Sequence, residues 1–350
     1  MNNKKKLAIV GYGGQGAWHA SWAQKSDVVE LSGIYDISEK RVNAAIDNNI
    51  RVYSSLSELL SDSEVEIVLC ATPNDVHKEI VISALNAKKH VICEKPVALS
   101  VSDFDDMVAT ANKNRVLFTV HQNRRWDVDY LAIKSIIASG EIGDTINIES
   151  RIHGSRGIPS DWRCHKQYGG GMILDWGVHL IDQMLTLIPE KVVGLYCETT
   201  NITTSEVDDG FKLSLTFDSG KRAYIEVGTY NFIAMPRFYM QTKSGSALIE
   251  DWQKKCKVAR LTAWNEKEVL PVQTAAGITK TMAPRDELTI DSYEIERPVS
   301  DVHDFYRNFT RAIDGQEEQL IKNSEVRRTL LVMENAFKSA ETKNALKTDI

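Results

Sequence analysis

Lys95, Asp175 and His179 are the residues of this 350-residue chain best suited to move a proton. Lys95 stands in Cys93-Glu94-Lys95-Pro96, directly after a short apolar run. A lysine at a strand's end can donate to a substrate hydroxyl and stabilise negative charge developing on its oxygen. A surface ion pair with Glu94 is the alternative. The following proline admits a cis peptide bond. Asp175 and His179 lie four residues apart behind Gly169-Gly170-Gly171, so on a helix they project from one face. Leu174, Val178, Ile181 and Leu185 make the opposing apolar stripe. Histidine titrates near neutrality and suits a general base. A lone helical histidine is more often structural; the aspartate one turn before it, and glycines that permit close backbone approach, favour catalysis. Asp182, a further turn on, either orients the histidine or lies on the helix surface.

A second constellation suits a dinucleotide. The apolar run Leu7–Val10 enters Gly11-Tyr12-Gly13-Gly14-Gln15-Gly16, with Gly11, Gly13 and Gly16 at G-x-G-x-x-G spacing. Gly11 allows the tight turn, Gly13 lets a pyrophosphate approach the backbone, and Gly16 lets helix and strand pack closely. The helix N-terminus then offers N–H groups to the phosphates. Twenty residues beyond Gly16, Asp36 ends the next apolar run. Its carboxylate can accept from both ribose hydroxyls and would repel a 2′-phosphate, which favours NAD over NADP. Further cofactor contacts are expected at later strand ends: Thr72, Pro73, Asn74 and His77, then Glu94 and Lys95, then Gln122. Pro73 halts its strand, and Asn74 can cap the next helix.

A third group is aromatic and basic: Arg124, Arg125, Trp126 and Asp127, then Asp161, Trp162 and Arg163. Indole faces suit the C–H faces of sugar rings, and Arg and Asp suit ring hydroxyls. Packing between domains is the competing reading, strongest for Trp126.

These groups need a scaffold. Strands are expected at 6–11, 29–36, 66–72, 90–94 and 116–121, alternating with helices near 14–25, 38–48, 76–88 and 100–113. Such βαβ alternation predicts a parallel sheet with ligands beyond its carboxyl ends. After residue 122 the period changes. A helix over 126–139 precedes segments with period-2 alternation, among them Ile146, Ile148 and Ile152, then Phe211, Leu213, Leu215 and Phe217, then Ala223, Ile225 and Val227. They predict a sheet with one open face. A helix over 171–187 interrupts them. Residues 252–300 are polar, carry three prolines and predict long loops. Helix returns over 301–340. The chain's length predicts two domains, 1–122 and 123–350, with the C-terminal helix packing back on the first.

Composition excludes several classes. Net charge is −6, with 43% hydrophobic and 26% charged residues, and no basic stripe for nucleic acid. No run approaches membrane-spanning length, and Lys4-Lys5-Lys6 precedes too short an apolar run for a signal peptide. Five cysteines without a C-x-x-C pair predict a reducing cytoplasm and no structural metal.

Taken together, the glycine loop, Ala71–His77, Glu94-Lys95-Pro96, Asn123-Arg124-Arg125 and Gly169–Asp182 resemble the glucose-fructose oxidoreductase/inositol dehydrogenase (Gfo/Idh/MocA) family across nearly the whole chain. The resemblance implies an α/β fold: an N-terminal Rossmann domain and a C-terminal α/β domain with an open, mostly antiparallel sheet. It implies catalytic roles for Lys95 and His179, and substrate positioning by Asp175. Trp162-Arg163 resembles a motif that reaches the cofactor or substrate near the nicotinamide. The open sheet face would form a homo-oligomer. Arg124–Asp127, Gly154–Trp162 and Asp175-Trp176-Gly177 are similar to a subgroup of sugar and glycoside oxidoreductases, some oxidising the 3-hydroxyl of glucosides. The expected activity is therefore hydride transfer between NAD and a secondary ring hydroxyl of a sugar or glycoside. The alternatives are a cyclitol dehydrogenase, a keto-sugar reductase, an oxidoreductase that recycles a cofactor in place, and a non-catalytic NAD sensor.

Overall fold

Short, mostly apolar runs alternate with amphipathic ones over the first third of the chain. They form β1 (Lys5–Val10), α1 (Gly14–Ala23), β2 (Val29–Tyr35), α2 (Glu39–Asp47), α3 (Leu56–Ser61), β3 (Ile67–Cys70), α4 (His77–Asn86), β4 (His90–Cys93), α5 (Val101–Asn114) and β5 (Phe118–Val120). The five strands pair in parallel in the order β2-β1-β3-β4-β5. Strands buried on both faces need no polar alternation, hence Ile-Val-Leu-Cys in β3 and His-Val-Ile-Cys in β4. The computed structural model describes residues 4–263, 269–285 and 287–350.

The second sheet has nine strands and is mixed. Its elements follow in the order α6 (Val128–Ser139), β6 (Thr145–His153), α7 (Val178–Leu187), β7 (Val192–Thr200), β8 (Gly210–Phe217), β9 (Arg222–Gly228), β10 (Phe238–Thr242), β11 (Gly245–Ile249), β12 (Cys256–Leu261), the small hairpin β13 (Val272–Thr274) and β14 (Gly277–Thr279), β15 (Ile290–Ile295), α8 (Asp304–Ile313), α9 (Asn323–Thr342) and β16 (Leu346–Lys347). Strand order is β15-β12-β11-β10-β6-β9-β8-β7-β16, with β6 and β9 parallel and the other pairs antiparallel. Phe211, Leu213, Leu215 and Phe217 face inward along β8, while Lys212 faces out. Helices α7 and α9 cover the inner face over β7 to β9. The outer face is lined by Glu149, Arg151, Tyr196, Lys212, Tyr224 and Glu226.

The loops expected over 252–300 are corrected in part. β12 and β15 pair there at the sheet's edge, and β13 and β14 form a hairpin. An edge strand buries one row at most, and β15 alternates half-buried with exposed residues, so polarity hid it. Residues 264–268 and 286 of that stretch lie outside the described residues. The helix expected over 171–187 begins with a π-helical turn, Ile173–Gly177, before α7. No helix among the described residues is long and apolar enough to cross a membrane. All five cysteines are free.

The C-terminal helices return to the first sheet. Arg327 of α9 pairs with Asp105 of α5, Glu334 accepts from the Val101 N–H, and Gln319 donates to the Phe118 carbonyl.

Candidate active site

The glycine loop opens at the carboxyl end of β1. A methyl group on Gly16 would collide with the Gly11 carbonyl, so only glycine lets α1 start so close to the turn. A Cβ on Gly13 or Gly14 would meet nothing within 4 Å, which leaves the backbone clear for a pyrophosphate. Gly14 and Gln15 are exposed there. Asp36 follows β2 and accepts from the N–H groups of Tyr12, at 2.6 Å, and Ser38, at 2.8 Å. These bonds fix the carboxylate at the rim of the loop. Tyr12 supplies that N–H alone, because its ring is buried in the core.

At the next strand ends the expected cofactor residues divide. Thr72 and Pro73 are partly or fully exposed beside Gly11. His77 is wholly buried, with Nδ1 and Nε2 each 3.0 Å from a carbonyl oxygen, of Pro96 and Thr72. It ties the Thr72 loop to the Lys95-Pro96 turn, where the peptide bond is cis, and has no nitrogen left for a ligand. Asn74 does not cap α4; its amide donates to the Gly169 carbonyl at 3.0 Å and so joins that loop to the triple glycine.

Glu94 turns away from the Lys95 ammonium into the interior. Its Oε1 accepts from His19 Nε2 at 2.7 Å and His121 Nδ1 at 2.8 Å, and its Oε2 accepts from the Lys95 N–H at 3.1 Å. Burial pushes the carboxyl's pKa up, but the two histidines outweigh it and hold it well below the usual range. The Tyr306 hydroxyl of α8 bonds His19 Nδ1. Glu94 is therefore a buried anchor rather than a surface partner of Lys95.

Lys95 reaches across the crevice to the helix after the triple glycine. Its ammonium donates to the Asp175 carbonyl at 2.9 Å and to Asp175 Oδ1 at 3.1 Å. Arg163 Nε lies 3.3 Å from Asp175 Oδ2. Burial raises the Asp175 pKa, but Lys95 and Arg163 more than reverse that, and the carboxyl stays ionised. His179, the second residue of α7, lies just beyond and is 4% exposed, and its Nδ1 has no hydrogen-bond partner. Burial first, then the charges of Lys95 and Arg124, hold its pKa well below the ordinary histidine value. The near-neutral titration expected from residue type alone is thus corrected: a buried imidazole beside two cations resists a third charge.

Five buried polar atoms in this region lack partners: His121 Nε2, Gln122 Oε1, Asn123 Oδ1, Arg124 Nε and His179 Nδ1. Buried polar groups are ordinarily hydrogen-bonded. Four of these atoms follow β5 and the fifth lies in the first turn of α7, so unmet hydrogen-bonding demand gathers in the segments around Lys95 and Asp175, which fits a site for polar ligands such as a nicotinamide cofactor with a polyhydroxylated substrate.

The remaining expected residues separate. Asp182 neither orients His179 nor lies on the surface; it takes a bidentate pair from Arg125 at 2.7 and 2.6 Å and is 2% exposed. Trp126 packs edge-on against Phe305. Trp162 lies under the Arg163 guanidinium, 4.6 Å from its ring centre. Arg124 binds Asp127 at 3.0 Å and stacks over Trp176 at 4.1 Å.

Family comparison agrees with this geometry. A model described as "Oxidoreductase family, NAD-binding Rossmann fold" matches residues 5–122, and the GFO/IDH/MocA C-terminal domain matches residues 130–247. The chain belongs to the Gfo/Idh/MocA family. It is similar to a crystal structure of an NAD-binding protein from Listeria innocua, with 41% identity, 99% of each chain covered and a TM-score of 0.95. An uncharacterized oxidoreductase of Schizosaccharomyces pombe is 37% identical over 51% of this chain and 49% of its own length. The chain thus spans about half the length of that curated relative. A scyllo-inositol 2-dehydrogenase (NADP+) of Bacillus subtilis is 30% identical over 69% of this chain and 67% of its own.

For this Gfo/Idh/MocA chain, sequence reasoning missed several residues at the crevice. Ile37, 91% exposed, sets an apolar side chain beside Asp36; an isoleucine directly after the acid was the available signal. Trp252, in the β11–β12 turn, lies 5.9 Å from Trp176, but stood alone in a polar stretch. Two buried triads, Cys70-His77-Cys93 and His19-Glu94-His121, bring together side chains of metal-binding type, although His77 and Glu94 are already hydrogen-bonded within the protein. Their members are too far apart in sequence to form a spacing motif.

Proposed function

We propose that this protein transfers a hydride reversibly between NAD and a secondary ring hydroxyl of a sugar or glycoside, with C3 of a glucoside as the favoured position. The convergence of Lys95, Asp175 and His179 carries this reading: an ammonium, a carboxylate and a neutral, unpartnered imidazole meet at the end of β4. NAD, when bound, supplies the hydride acceptor. Lys95 hydrogen-bonds the reacting hydroxyl and lowers its pKa. His179 takes the proton. Asp175, held by Lys95 and Arg163, accepts from a neighbouring hydroxyl and so sets which carbon lies over the cofactor. Asp36 selects NAD, although one relative's name specifies NADP+. Residues 1–122 then hold the cofactor, and 123–350 hold the substrate and pair copies through the sheet's open face.

Cyclitol oxidation is the second reading. It is favoured by the inositol dehydrogenases among the relatives, about 30% identical. A panel of free hexoses, O- and C-glucosides and inositols, assayed for reduction of NAD and of NADP, separates the two. The first reading expects NADH from glucosides, with the keto carbon at C3 by NMR and NADP much poorer. Turnover confined to inositols selects the second. Equal use of NADP contradicts the role given to Asp36.

A further inference from the structure

An aromatic wall leads outward from His179. The Trp176 ring lies 5.9 Å from the His179 ring, and the Trp252 ring lies 5.9 Å from Trp176 at a tilt of 51°. Exposure rises along this path, from 4% at His179 to 41% at Trp252. Each step is close to the width of one saturated six-membered ring. Two guanidinium groups brace the wall. The Arg124 guanidinium sits 4.1 Å from the Trp176 ring centre and 5.4 Å from that of Trp252, and Arg237 sits 5.0 Å from Trp252. Arg237 is itself buried, 2.8 Å from Asp129, so it cannot swing away. Arg297 donates to the Trp252 carbonyl at 3.1 Å and pins the turn.

A single pyranose or inositol ring engaged by Lys95, Asp175 and His179 needs nothing this far out. An indole held rigid at the mouth, with one part open to solvent, is a platform for the C–H face of a second ring.

We propose that Trp252, with Trp176 and Arg124, forms an outer subsite for a second sugar ring, so that the preferred substrate is a disaccharide-like glycoside rather than a free monosaccharide. This rests on the hydride-transfer reading above and adds the substrate's size. The test compares kcat/KM for glucose, for glucose disaccharides and for phenyl glucoside, in the parent protein and in Trp252→Ala and Trp252→Tyr. The parent is expected to prefer a disaccharide over glucose by about tenfold or more. Trp252→Ala should lower that ratio about tenfold, mainly through KM, and Trp252→Tyr should restore part of it. An unchanged ratio in Trp252→Ala overturns the subsite, as does a parent that prefers glucose or phenyl glucoside. Calorimetric titration of the NADH-loaded protein with the same disaccharide keeps the two claims apart. Binding that Trp252→Ala weakens, without turnover of any sugar, supports the subsite and contradicts hydride transfer. Turnover with an unchanged ratio does the reverse.

Discussion

His179 must be neutral to accept a proton, and its surroundings keep it so. Burial and two nearby cations displace its titration downward, so the base form persists to lower pH than in a free histidine. The sign is definite: protonation removes the base, and a lowered pKa moves that loss to more acidic solution. The acid limb of kcat/KM should therefore lie below the pH at which an unperturbed imidazole titrates. An acid limb centred near 6.5, the value for an unperturbed imidazole, would contradict the assignment. The residue types at this site were legible because the spacing of Asp175 and His179 carries its own geometry. Their electrostatics were not, since Arg124 and Lys95 reach His179 only through the fold. Trp252 shows the same limit, for an isolated tryptophan has no pattern to mark it.

The element that carries the proposed chemistry is the π-helical turn Ile173–Gly177 running into α7. Such turns are rare and concentrate at functional sites. Asp208 fixes its start. Its Oδ2 accepts from the Ile173 N–H at 2.8 Å, its carbonyl accepts from Met172 at 3.0 Å, and a side chain on Gly171 would strike its carboxylate. Gly171 also needs its left-handed φ of 101°. Burial pushes the Asp208 carboxyl up to about 7, against those backbone bonds and with Asp209 adding to the rise. Folding thus favours its protonated form. Its contribution to stability is present below about pH 4 and lost as pH rises toward 7, at about 1.4 kcal/mol per unit at most. Asp208→Asn should flatten that loss and unfold at a higher temperature than the parent above pH 7, with little difference near pH 4; melting curves across this range check it. At this scale the sequence patterns located the buried parallel strands well, because each is a short apolar run. They failed at β12 and β15, where edge strands bury too little to stand out.

Across the whole molecule, the site depends on segments far apart in the chain. Glu94 meets His19 across 75 positions, and His19 meets Tyr306 across 287. That buried chain joins α1, the end of β4, the end of β5 and α8 behind Lys95. No local pattern could show it, whereas the glycine loop and Glu94-Lys95-Pro96 were legible from their positions at strand ends. The fold brings Lys95 from the first sheet to Asp175 and His179 beside the second, and the proposed activity exists only if both work on one hydroxyl. Single-turnover reduction of bound NAD by an active sugar or glycoside, followed in the parent, Lys95→Met and His179→Ala, tests this most directly. NAD affinity should be unchanged in both variants while hydride transfer slows about 10²–10⁴-fold in each. Transfer at the parent rate in either variant would contradict the account.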